Sequence, residues 1–109
     1  MTFDEGLSQR IRELISDHPG FLEKKMFGGI GFLFGGNMAC GVNQEDLIIR
    51  VGPENYQEAL SRPNAKVFDL TGRPMTGWIV IEEPGYQKEA DFQDWVDQGV
   101  AFAMSLPEK

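Results

Sequence analysis

A chain of 109 residues, 41% of them hydrophobic, can fill one core but not two, and this apolar content excludes a disordered chain. Seventeen acidic residues against ten basic ones leave a formal charge of -7, which works against phosphate backbones and anionic membranes as partners. The single cysteine, Cys40, has no intrachain partner, no apolar run approaches the roughly 20 residues that span a bilayer, and Met1 to Leu14 is too charged for a signal peptide, so a cytoplasmic location is expected.

The spacing of Phe3, Leu7, Ile11, Leu14 and Ile15 predicts a first helix, with Thr2 and Glu5 forming a capping-box pattern and His18-Pro19-Gly20 ending it. The period then shortens. Residues 23–27 read as extended, Gly28-Gly29 as a bend, and residues 30–34 as a strand in which Ile30, Phe32 and Phe34 share a face. Gly35-Gly36-Asn37 reads as a turn, because glycine and asparagine accept positive φ. A third strand over 38–42 is expected to place Met38, Cys40 and Val42 on one side. The fourth, over 47–51, is apolar on both faces except at Arg50, as central strands are.

Pro53 to Leu60 predicts a short helix, with proline and Glu54 suited to its first turn. A weak strand over 65–68, a turn-rich link over 69–74, a strand over 75–82 and a turn at Pro84-Gly85 follow. Phe92, Trp95, Val96, Gly99, Phe102, Ala103 and Leu106 keep helical spacing to Pro107, with Glu89, Asp91 and Asp94 at the positive end of the dipole. Consecutive strands joined by short turns imply an antiparallel sheet of about five or six strands. The fold class is α+β, one domain over 1–109, with helices against the sheet.

No reactive group of side chains emerges from this pattern. His18, the only histidine, sits at a helix end, and Cys40 lies in a strand among apolar neighbours, where a free thiol behaves as a small hydrophobe. Gly29-x-Gly31 lacks the third glycine and the following helix of a dinucleotide fingerprint. No spacing suggests a metal site, and the acidic pairs fall in turns or at a helix start. No catalytic residue, cofactor or metal is therefore assigned. Lys24, Lys25, Arg50 and Arg73 fall on or beside strands and are the candidate contacts for an anion or a partner; for Arg50 a structural ion pair with a carboxylate is the favoured expectation. Trp78, Phe32 and Phe34 are expected in the core.

Several of these segments recur together in a known family. Lys24-Lys25-Met26-Phe27-Gly28-Gly29-Ile30-Gly31-Phe32, Gly36-Asn37-Met38-Ala39-Cys40-Gly41-Val42, Arg50-Val51-Gly52-Pro53-Glu54, Thr71-Gly72-Arg73-Pro74-Met75 and Gly77-Trp78, with the tail around Trp95-Val96 and Ala101-Phe102-Ala103, stand in its order. In these segments the chain resembles the TfoX (Sxy) N-terminal domain. The resemblance implies an α+β fold akin to secretion-chaperone-like domains, a homodimer, and a regulatory role in DNA-uptake competence beside a cyclic-AMP-dependent activator. In full-length members a C-terminal domain follows this one; the sequence departs from that plan, ending at Lys109, and a stand-alone domain is the expectation. The expectation is a non-enzymatic regulatory or protein-interaction domain whose partner belongs to the transcription machinery. The alternatives are direct nucleic-acid binding through Lys24, Lys25, Arg50 and Arg73, and a small-ligand sensor or enzyme with a cleft at Arg50, Arg73 and Cys40.

Overall fold

A computed structural model describes residues 5–26, 29–69, 72 and 74–107. In chain order they form α1 (Glu5–Ile15), β1 (Phe21–Met26), β2 (Gly29–Phe34), β3 (Asn37–Asn43), β4 (Asp46–Arg50), α2 (Tyr56–Leu60), β5 (Ala65–Val67), β6 (Trp78–Ile81), a 3-10 turn (Glu83–Gly85) and α3 (Glu89–Met104). The strands make one antiparallel sheet in the order β1-β2-β3-β4-β6-β5. The α+β class expected from the sequence is the observed one.

The first four strands are a meander because their connections are short. Between β2 and β3 the two linking residues, Gly35 and Gly36, have φ of 58° and 85°. Positive φ at both centres makes a turn whose twist matches the flanking strands, and glycine adopts it without a Cβ penalty. β6 returns from farther along the chain to pair with β4, leaving β5 at one edge and β1 at the other.

One face of the sheet is covered by the helices. Phe32, Cys40, Val42, Leu47, Ile49, Ile79 and Ile81 pack there against Leu7, Ile11 and Ile15 of α1 and Phe92, Trp95, Val96 and Ala103 of α3, all at most 3% exposed. Burying a large apolar side chain contributes roughly 1.5–3 kcal/mol, so this layer carries the fold. α3 approaches closely because Gly99 faces the carbonyl of Ala39, leaving no room for a Cβ. The opposite face holds a second, smaller cluster of Ile48, Phe68 and Val80, with Met75 and Trp78 beside it. β4 and β6 therefore bury both sides, which is why β4 shows no polar alternation. Two side-chain hydrogen bonds fasten the chain's later part to the meander. Asn37 Nδ2 donates to the Pro107 carbonyl at 2.9 Å, and the Tyr86 hydroxyl donates to the Glu45 carbonyl at 2.5 Å.

Five expectations need correction. The short helix expected from Pro53 begins at Tyr56 after Asn55, so Pro53 and Glu54 stand in the turn before it and not in its first turn. Met38 does not share a face with Cys40: the register shifts between Phe32 and Leu33, which pair with Cys40 and Met38 respectively, so Ala39 is an extra residue and Met38 turns to the other side. Trp78 is only half-buried and belongs to the smaller cluster, whereas Phe32 and Phe34 are in the main core as expected. The strand expected over 75–82 is shorter, because Trp78 N–H donates to Met75 C=O at 3.1 Å and Gly77 has φ 92°, a turn in place of extended chain. β1 starts two residues early, since Gly35 N–H donates to Gly20 C=O and extends the ladder. Thr2, Phe3, Phe27, Gly28 and Arg73 lie outside the described residues.

Candidate functional site

Lys24 and Lys25 are neighbours on β1 and therefore leave on opposite faces. Lys24 pairs with Gly31, which pairs with Gly41 and onward to Ile48, so it stands on the face of the smaller cluster. Lys25 pairs with Ile30 and stands on the helix side. Both are exposed, and neither is paired with a carboxylate among the described residues. Glu23, which precedes them on β1, has its carboxylate held at 2.5 Å by Arg12 Nε of α1. The edge strand thus presents a surplus of positive charge on a chain that is negative as a whole.

Arg50 stands three strands away at the end of β4. Its guanidinium carbon lies 5.2 Å from the ring centres of both Trp78 and Phe102. Rings at that range attract a cation through their negative faces. Among the described residues no carboxylate joins it, so the structure gives Arg50 aromatic partners where an ion pair was favoured. Two other arginines do combine both contacts: Arg62 is 3.8 Å from the Trp95 ring centre and 2.6 Å from Asp94, and Arg10 is 4.0 Å from that of Phe92 and 3.3 Å from Glu89. Sequence reasoning missed these, since the aromatic and acidic partners come from α3.

Cys40 is fully enclosed on the helix-covered face, where it pairs with Ile49. Arg50 follows Ile49 and leaves β4 toward the other side, so the two are not brought together. Burial pushes the Cys40 thiol up to about 12 from its ordinary 9.0, because a thiolate there would lose its hydration. Native Cys40 is expected to react with a maleimide at neutral pH at least about a hundredfold more slowly than the unfolded chain, read by mass spectrometry. The sign of the linked stability follows. The folded thiol holds its proton where the unfolded one has lost it, so this contribution is whole below pH 9.0 and is lost as pH rises toward about 12.

His18 Nδ1 lies 3.2 Å from the Ile15 carbonyl at the end of α1, far in the chain from Cys40, and its ring meets Phe34 edge-on at 5.7 Å. Asp46 is shifted up, by partial burial first and by Glu82 and Glu45, with Lys66 opposing. Two surface hollows are lined by other residues. One, of about 190 Å³, lies between α2 and α3 at Glu58, Arg62 and Gln98; the other, of about 220 Å³, lies at Phe34, Asn37, Ala103 and Met104. Neither is lined by Lys24, Lys25, Arg50 or Cys40. Among the described residues no three His, Cys, Asp or Glu side chains converge as metal ligands, and no helix is long and apolar enough to cross a membrane.

The family model of the TfoX N-terminal domain matches residues 13–103, from the end of α1 to the last turn of α3. The chain belongs to this family. Comparisons with curated proteins and with solved structures returned no match. In this TfoX N-terminal domain the matched span takes in all six strands, α2 and all but the last residue of α3, so the likeness covers the sheet and most of its helical cover together.

Proposed function

We propose that this TfoX N-terminal domain is a non-enzymatic regulatory module that acts by binding another protein, self-associates as a homodimer, and serves transcription regulation of the competence type. The family match over residues 13–103 carries this reading. The chemistry of the chain supports it. Cys40, the only thiol, is sealed in the core with its ionisation suppressed, and the only histidine holds to a helix-end carbonyl. Arginines 10, 50 and 62 each lie over an aromatic ring. A net charge of -7 disfavours nucleic acid as the partner.

The test has two arms. Sedimentation velocity from low to high micromolar concentration is expected to show a reversible dimer; a monomer throughout removes that part. Crosslinking of the tagged domain in cells, followed by reconstitution with the purified candidate, is expected to yield one saturable protein complex. Substrate turnover by the purified domain, abolished by one polar substitution, ends the non-enzymatic reading.

A further inference from the structure

We propose that the free edge of β1 is a docking strand for an acidic, extended peptide segment of a protein partner, which adds to the sheet beside Phe21–Met26. The inference rests on the reading of the domain as a protein-binding module and names the surface and the chemistry.

β1 is the outermost strand of the order β1-β2-β3-β4-β6-β5, and six residues long, against three for β5 at the other edge. The ladder fixes which of its backbone groups are free. Gly35 N–H donates to Gly20 C=O at 3.3 Å, and in an antiparallel pair such exchanges recur at every second residue. Leu22 and Lys24 therefore bond toward β2, while the N–H and C=O of Glu23 and Lys25 point away from the sheet. An added strand gains affinity from such groups and specificity from alternate side chains.

Charge identifies the occupant. Arg12 neutralises Glu23 at 2.5 Å, which leaves Lys24 and Lys25, one on each face, without acid partners among the described residues. A peptide carrying Asp or Glu on both of its faces meets a lysine on each. Leu22, 56% exposed on the same face as Lys24, offers an apolar contact beside it. A second copy fits poorly. Twofold antiparallel pairing places one residue opposite its own copy. In the register centred on Lys24, lysine stands opposite lysine, and like charges directly opposite are destabilising; in the one centred on Glu23, which Arg12 already neutralises, Lys24 and Lys25 stand opposite Leu22 and Phe21 and gain no acid partner.

The experiment titrates a labelled peptide of about ten residues built from a Val-Glu-Glu-Val repeat, which sets glutamates on both faces of an extended strand, against the full chain, with a Val-Lys-Lys-Val repeat as control. The acidic peptide is expected to bind at low salt and to slow amide exchange at Glu23 and Lys25 by at least about tenfold, while the control does not bind. K24E/K25E, an exposed change that leaves the core intact, is expected to weaken binding at least about tenfold. Lys25→Pro removes an outward N–H without breaking a bond to β2 and is expected to have the same effect, with circular dichroism confirming the fold. No binding, binding that K24E/K25E leaves unchanged, or protection elsewhere overturns the proposal. So does a change in self-association on K24E/K25E, which would give the edge to a second copy. A reconstituted partner complex that K24E/K25E does not weaken sinks the docking strand alone; enzymatic turnover sinks the wider reading.

Discussion

Trp95→Ala is expected to remove about 4 kcal/mol of folding stability, read as a lower urea midpoint with an unchanged slope. Trp95 is the largest fully buried side chain, 1% exposed, where α3 meets the sheet. Truncating a buried aromatic loses its transfer energy and leaves a cavity that the β-sheet beneath cannot close. Against a total of about 5–15 kcal/mol, that is roughly a quarter of the margin or more. The loss also frees Arg62, whose guanidinium carbon lies 3.8 Å from the ring centre and whose Nη1 bonds Asp94 at 2.6 Å. Trp95→Phe keeps a ring in the site and is expected to cost about 1–2 kcal/mol, which separates the cavity from the stacking. A Trp95→Ala effect below about 1 kcal/mol would mean that α3 does not seal this core.

Gly99→Val is expected to cost at least about 3 kcal/mol, enough to populate the unfolded chain at physiological temperature. A Cβ at Gly99 would stand 2.4 Å from the Ala39 carbonyl oxygen and 3.2 Å from its carbon. Those are backbone atoms inside the sheet, so the helix has to move. The opposing term is helix propensity, where replacing glycine gains at most about 1 kcal/mol. Contact with backbone wins over it. Gly99→Ala, which adds only the methyl, is expected to destabilise by about 1–3 kcal/mol, and a neutral or stabilised Gly99→Ala in thermal unfolding would refute the close approach.

Much of this arrangement was legible in the residues. β4 reads apolar on both sides because Ile48 and Val80 are covered on one face while Leu47 and Ile49 are covered on the other. The Gly35-Gly36 turn and the spacing of α3 were equally plain, since glycine at positive φ and a period of 3.6 are local signals. The Ala39 bulge was not. Met38-Ala39-Cys40-Gly41-Val42 alternates large and small as an ordinary strand does, and only the partner strand reveals the extra residue. Within the candidate surface, the opposite facing of Lys24 and Lys25 follows from strand period alone. The placement of Arg50 beside Phe102 does not, because the two meet only once α3 lies on the sheet. The neutralisation of Glu23 by Arg12 required knowing how α1 crosses β1.

The strand order has a consequence for how the polypeptide emerges from the ribosome. Its first half can zip up through neighbouring hairpins as it appears, since each of those strands bonds to the one just made. The apolar side of that nascent ribbon has only α1 to lie on until the final helix is synthesised, because Phe92, Trp95 and Val96 come last. Translation therefore holds a sticky, half-clothed intermediate until its closing segment arrives, and a premature stop before residue 92 leaves the part of the ribbon beneath α3 open to aggregation.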